Sequence, residues 1–62
     1  MIEITRVAGG LGWPYCLWID GLRASWYPTY RKAVNAARLI DKAFVPLPES
    51  ELPVEDLYAN HI

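Results

Sequence analysis

The segment Ile19-Asp20-Gly21-Leu22 constrains the fold more than any other part of the chain. A type I′ turn needs positive φ angles at both central residues, and an Asp-Gly pair adopts them at little cost. The turn therefore predicts a β-hairpin with a strand on either side. It also fixes the pairing of the two strands, because each residue before the turn faces one residue after it. The predicted pairs are Ile19 with Leu22, Leu17 with Ala24, and Tyr15 with Trp26.

This pairing divides the hairpin side chains between two faces, because successive side chains of a strand point in opposite directions. One face carries the three pairs and is predicted to form the core. The other points away from the core and is called the open face. It is predicted to carry Cys16, Trp18, Arg23, Ser25 and Tyr27. On this face Trp18 lies across from Arg23, which predicts a cation–π pair.

The remaining patterns predict one more strand and one helix. Residues 2–8 alternate roughly and are β-branched, which is typical of a strand, and the glycine-rich segment 9–14 predicts a loop. After Pro28, Thr29 is a suitable N-cap, and apolar residues at 3–4 spacing predict a helix over 30–44. The sequence therefore predicts an α+β fold, in which a three-stranded antiparallel meander packs on one α-helix (βββα).

Charge separates a basic body from an acidic tail. Residues 1–44 carry six basic and three acidic residues, whereas residues 45–62 carry four acidic residues and no basic one. We predict a βββα domain over 1–44 and an extended, proline-rich acidic tail over 45–62, packed on the domain or on a partner. Within this tail, Pro53 is predicted to open a short turn of helix.

The length and the few metal-binding residues limit what the chain can do. A domain of 62 residues buries only about 60% of its unfolded surface, so its stability is marginal. Cys16 is the only cysteine, which excludes an internal disulfide, and Cys16 and His61 are too few for a structural zinc site. We expect no cofactor and no catalysis, because no nucleophile, base and oxyanion donors converge. Without an export signal or long apolar segment, we expect a cytoplasmic protein with no membrane partner.

The open face is the first candidate for partner binding. Trp, Tyr and Arg are enriched among the residues that dominate protein–protein affinity. The predicted contact residues for a protein partner are Trp13, Trp18, Arg23 and Tyr27. Two other interpretations remain: two copies of the chain associate through this face, or the tail covers it. The tail residues that would cover it are Leu47, Leu52, Val54, Leu57 and Tyr58.

The exposed side of the predicted helix is the second candidate. It carries four basic residues with few acids at i±4, and it is called the basic helix face. These residues are Arg31, Lys32, Arg38 and Lys42. Such a face suits phosphate groups or an acidic protein, and an ordinary solvated surface is the other interpretation. Nucleic-acid binding through this face is the alternative function.

Two resemblances add expectations to these patterns. The segment IDGLRASWYPTYRKAVNAARLI resembles, over roughly 13–42, the three-strand-plus-helix arm-binding domains of phage-type integrases. That resemblance implies an open sheet face that enters the DNA major groove; here the face carries Arg23, with Asp20 and Glu3 nearby. In size and composition the chain is also similar to small phage-encoded inhibitors of host machinery, anti-CRISPR proteins among them. This similarity implies a non-enzymatic protein that sterically blocks a host protein or protein–nucleic-acid complex.

Overall fold

The computed structural model describes residues 1–8 and 12–56. Within them, a sheet with the strand order β3-β2-β1-β4 packs one face on an α-helix. The elements are β1 Ile2–Ala8, β2 Tyr15–Ile19, β3 Leu22–Tyr27, α1 Tyr30–Ile40, a 3-10 turn Glu49–Glu51 and β4 Val54–Asp56. The α+β class and the antiparallel pairing of β1, β2 and β3 are thus confirmed. No helix of the described ranges is long and apolar enough to cross a membrane.

The turn between β2 and β3 has the predicted geometry. Asp20 has a φ angle of 51° and Gly21 one of 82°, the positive values that a type I′ turn requires. Next to the turn, the pairs Ile19–Leu22 and Trp18–Arg23 follow the predicted register.

One extra residue in β3 changes the pairing beyond Trp18. The observed pairs are Leu17 with Ser25, Cys16 with Trp26, and Tyr15 with Tyr27. Ala24 is therefore the unpaired residue of a β-bulge, in which two residues of one strand oppose one of its neighbour. The predicted pairs Leu17–Ala24 and Tyr15–Trp26 are wrong for this reason. Past the bulge the faces are exchanged, so Trp26 lies on the open face and Tyr27 on the helix side.

Helix α1 begins where the sequence predicts and ends earlier. The Thr29 hydroxyl accepts a hydrogen bond from the Lys32 N–H at 3.2 Å, which is the expected N-cap. The helix ends at Ile40 instead of residue 44, because Asp41 adopts an extended conformation. The Asp41 carboxylate accepts a hydrogen bond from the Ala43 N–H at 3.0 Å. Such a local side-chain bond offers the backbone an alternative to the helix.

The core lies between the sheet and α1. Ala33 and Ala37 are fully buried and share one side of the helix, since residues four apart lie above one another. Tyr27 and Phe44 pack at the margin of this core. Its buried members are Ile4, Leu17, Ala33, Val34, Ala37 and Leu52.

Residues 47–52 of the tail follow the helix side of the sheet. Leu52 is 6% exposed and belongs to the core. The Tyr30 hydroxyl donates a hydrogen bond to the Leu47 carbonyl, and the Tyr15 hydroxyl donates one to the Glu49 carboxylate. The interpretation in which Leu47 and Leu52 cover the open face is therefore wrong. Of the other side chains in that interpretation, Val54 is 64% exposed, and Leu57 and Tyr58 lie outside the described residues.

The tail then adds a fourth strand to the sheet. Strand β4 pairs in parallel with β1, and Val54 is the partner of Arg6. The Arg6 N–H donates to the Pro53 carbonyl at 2.9 Å. The predicted helical turn after Pro53 is wrong, because residues 54–56 pair with β1 as a strand. This pairing satisfies backbone N–H and C=O groups that the edge of a sheet otherwise leaves unpaired.

Candidate functional site

Three side chains on the open face form a layered cluster. The Arg23 guanidinium carbon lies 4.7 Å from the ring centroid of Trp18 and 4.7 Å from that of Trp26. Both distances are within the range of about 6 Å in which a cation is attracted to an aromatic ring. We call Trp18, Arg23 and Trp26 the Trp–Arg stack. The predicted Trp18–Arg23 pair is confirmed, and Trp26 joins it because of the bulge at Ala24.

An ion pair ties the Trp–Arg stack to the tail. Nη2 of Arg23 lies 2.7 Å from each of the two carboxylate oxygens of Glu55. The two side chains are 31% and 33% exposed. Arg23 belongs to β3 and Glu55 to β4, the two outer strands of the sheet. The pair therefore spans the open face and connects the basic body to the acidic tail.

Two small side chains are buried on the open face. Cys16 and Val7 are fully or almost fully buried, yet neither belongs to the core beside α1. Burial raises the pKa of the Cys16 thiol, and the nearby Arg23 guanidinium opposes this effect only in part. The thiol is therefore protonated at neutral pH, and a protonated thiol is a poor nucleophile. Cys16 fills space under the polar layer of this face.

The ring of Trp18 is fixed by a hydrogen bond as well. Its indole Nε1–H donates to the Thr5 hydroxyl at 2.9 Å. Trp18 thus has a donor contact to β1 and a ring contact to Arg23. Because both contacts hold the ring, little side-chain freedom remains to be lost when a partner binds to it.

The four predicted contact residues do not form one surface. Trp18 and Arg23 lie together in the Trp–Arg stack, and Trp13 is 55% exposed in the segment between β1 and β2. Tyr27 packs against the core beside α1, on the opposite side of the sheet. The prediction that Tyr27 lies on the open face is wrong, because the bulge exchanges it with Trp26.

Sequence reasoning missed Trp26 and Glu55. No residue type marks a bulge at Ala24, and Trp26 and Tyr27 are adjacent rings of similar size, so either one fits the core pattern. For Glu55 the sequence carries a weak signal. An acidic tail following a basic body favours contacts between the two, and Arg23–Glu55 is such a contact.

The basic helix face is exposed as predicted. Arg31, Lys32 and Arg38 project from α1, and Lys42 lies in the turn that follows it. Across residues 1–8 and 12–55, none of the four forms an ion pair. Leu39 lies on the same side of the helix and is 88% exposed. This surface therefore combines uncompensated positive charge with one large apolar side chain.

A shallow cavity of about 130 Å³ opens between β1, the first residue of α1 and the tail. Its lining includes Tyr30, Phe44, Leu47 and Leu52. Small-molecule sites usually measure about 300–1,000 Å³, so this cavity has room for one side chain only. Among the residues described, no three His, Cys, Asp or Glu side chains are grouped as metal ligands.

Comparison of the chain with protein-family models, with curated proteins and with solved structures finds no match. Exposure, charge and contacts are therefore the observations from which a function is inferred. They distinguish two surfaces: the open face with the Trp–Arg stack, and the basic helix face.

Proposed function

We propose that this protein is a small, non-enzymatic binding module that holds a protein partner on its open face. The observation that carries the proposal is the Trp–Arg stack, with Arg23 held 4.7 Å from each of two indole rings. Trp and Arg are the residue types that most often dominate protein–protein affinity. Here they are partly exposed and already fixed by contacts within the chain.

The charge of the stack favours a protein partner over nucleic acid on this face. The guanidinium of Arg23 already contacts both carboxylate oxygens of Glu55, so it is not free to neutralise a phosphate. Binding would rely on the rings of Trp18 and Trp26, with apolar or aromatic groups of the partner opposite them. Affinity of this kind depends little on salt, whereas phosphate contacts make binding strongly salt-dependent.

A narrower proposal concerns what the module does to its partner. The similarity in type to small phage-encoded inhibitors favours a role as a cytoplasmic inhibitor that blocks a host nucleic-acid-handling complex. A rigid domain of this size acts by occupying a surface that another subunit or a nucleic acid needs. Tyr27, which lies on the helix side, is not part of this proposal, and Trp13 is kept as a flanking contact from the neighbouring loop.

The experiment begins with the tagged chain as bait in a nuclease-treated host lysate, followed by purification of the retained protein. Binding of that protein is then measured by calorimetry for the wild type and for Trp18→Ala. We expect the substitution to weaken binding by about 2 kcal/mol, which is roughly 30-fold. The matched control is Val45→Ala, which removes an exposed apolar side chain away from the open face.

Two outcomes contradict the proposal. Wild-type affinity of a folded Trp18→Ala variant excludes the open face as the contact surface. Concentration-dependent dimerisation in sedimentation, abolished by Trp18→Ala, assigns the face to a second copy of the chain instead. Circular dichroism of each variant verifies that the fold is retained before its affinity is interpreted.

Nucleic-acid binding through the basic helix face is the second candidate function. Its support is the exposure of Arg31, Lys32, Arg38 and Lys42 without an ion pair among the described residues. For duplex DNA, the logarithm of the affinity falls with the logarithm of salt concentration, with a slope of about −0.9 per phosphate neutralised. A slope near zero for wild-type protein on duplex DNA excludes this candidate.

A further inference from the structure

Leu39 occupies an unusual position on α1. A single exposed leucine is common on protein surfaces, but this one is 88% exposed and lies beside a row of cations. At about 100° per residue, Leu39 lies on the opposite side of the helix from the buried Val34 and Ala37. The same rotation places Lys32 two turns before it on nearly the same line, with Arg31 and Arg38 about a quarter turn to one side.

The charge within α1 is of one sign, and the carboxylate of Asp41, just after the helix, accepts a hydrogen bond from the Ala43 N–H. Helix α1 contains no acidic residue, and the described residues offer Arg31, Lys32 and Arg38 no ion-pair partner. Surface helices are usually stabilised by pairs of opposite charge at i,i+4, and α1 lacks them. The face is therefore electrostatically complementary to a negatively charged ligand, with a solvent-exposed leucine at its edge.

We propose that the basic helix face binds an acidic protein segment, and that Leu39 is the apolar anchor of this contact. The ligand is an amphipathic helix that presents carboxylates beside an apolar side chain. Helix-in-groove recognition combines these features, with apolar anchors in the centre and charges around them. Phosphate binding, in contrast, uses the cations and gives Leu39 no role. This surface is separate from the open face, so a test of this proposal does not depend on the role of the Trp–Arg stack.

The test uses three probes of known composition against the full chain. The first is a peptide of about 18 residues, or five helical turns, built of Glu and Leu with the leucines at 3–4 spacing. The second replaces each of its leucines by Gln and keeps its charge, and the third is a DNA duplex of about 20 base pairs. Dissociation constants are measured by fluorescence anisotropy at fixed ionic strength, near 0.15 M.

Leu39→Gln is the decisive variant. Glutamine has a helix propensity close to that of leucine, and the side chain is solvent-exposed, so the fold is retained. We expect the wild type to bind the Glu/Leu peptide about tenfold more tightly than the Glu/Gln peptide. One buried leucine contact of about 1.5 kcal/mol corresponds to that factor. Leu39→Gln should abolish the difference, and the control Val45→Gln should preserve it.

Three results overturn the proposal. Equal affinity of the wild type for the two peptides removes the role of Leu39. Binding of the duplex in preference to both peptides, unaffected by Leu39→Gln, assigns the face to nucleic acid. Absence of binding to all three probes shows that the face is an ordinary solvated surface. A failure of this kind leaves the Trp18→Ala result on the open face unchanged, because different residues carry the two proposals.

Discussion

Replacing Arg23 by alanine tests whether the open face is held together by the Trp–Arg stack. The substitution removes the guanidinium from between Trp18 and Trp26 and breaks its contact with both carboxylate oxygens of Glu55. It also exposes Cys16, which is fully buried on this face. If these contacts organise the sheet, stability should fall by the sum of their separate contributions.

The expected loss follows from the geometry. Each cation–π contact at a partly exposed site contributes about 0.5–1 kcal/mol. The ion pair, with both side chains about a third exposed, contributes roughly 0.2–1 kcal/mol after screening by solvent. Together these contributions give a destabilisation of about 2 kcal/mol. A chain of 62 residues has a total stability of roughly 3–9 kcal/mol, so the loss is a large fraction of it.

The free energy of unfolding is measured by urea denaturation, followed by circular dichroism because Arg23→Ala itself alters tryptophan fluorescence. If the slope of the free energy of unfolding against urea concentration is the same for Arg23→Ala and the wild type, both proteins expose a similar surface area on unfolding. Arg38→Ala is the matched control, since Arg38 is exposed on α1 and should change stability by less than about 0.5 kcal/mol. A loss below about 0.5 kcal/mol for Arg23→Ala refutes the reasoning, and the stack is then a consequence of the fold and not a cause.

Two further predictions concern the tail. Leu52→Ala should destabilise the fold by about 2–5 kcal/mol, because Leu52 is in the core and its truncation leaves a cavity. The free energy of unfolding is measured by urea denaturation, with Val54→Ala at an exposed position as the control. Equal losses of stability in the two variants contradict the prediction. The pKa of Tyr15 is raised above 10.0, mainly by its hydrogen bond to Glu49, so the folded state holds this proton more tightly than the unfolded state. Stability from this contact is fully present below pH 10 and is lost as pH rises through the folded-state pKa. Tyr15→Phe should reduce this loss, as measured by denaturation at increasing pH, and an unchanged pH dependence contradicts it.

Features set by neighbouring residues could be predicted from the sequence. The positive φ angles at Asp20 and Gly21 are a property of that dipeptide in a two-residue turn. The Thr29 cap depends on a hydroxyl and on an N–H three residues away. The positions of Arg31, Lys32 and Arg38 in the basic helix face follow from the helical period. In each case the interaction lies within a few residues, so the sequence pattern contains it.

Features set by competition between distant segments could not be predicted. The bulge at Ala24 decides whether Trp26 or Tyr27 faces α1, and both rings satisfy the local pattern. Which ring faces α1 depends on how well Tyr27 packs against the helix and how well Trp26 packs against Arg23. The early end of α1 at Ile40 involves a local bond from the Ala43 N–H to the Asp41 carboxylate, and also the packing of Phe44 against the core, which the helical spacing does not reveal.

The candidate site was predicted in part for the same reason. Trp18 and Arg23 are next to the turn, where the register is fixed, and they were placed together correctly. Glu55 reaches Arg23 only because β4 pairs with β1 instead of forming a helical turn. A strand of three residues leaves almost no periodic signal, so the sequence contains little information about this contact.

The position of Leu52 has a consequence for how the chain folds as it is synthesised. The hairpin and α1 are complete in the nascent chain before residue 52 is added, but the cleft that receives Leu52 is then still open, and β1 lacks its parallel neighbour. An apolar cleft beside an unpaired strand edge is where incomplete chains associate with one another. The acidic tail therefore completes the fold late in synthesis. Leu52 then fills the core, and β4 pairs with the free edge of β1.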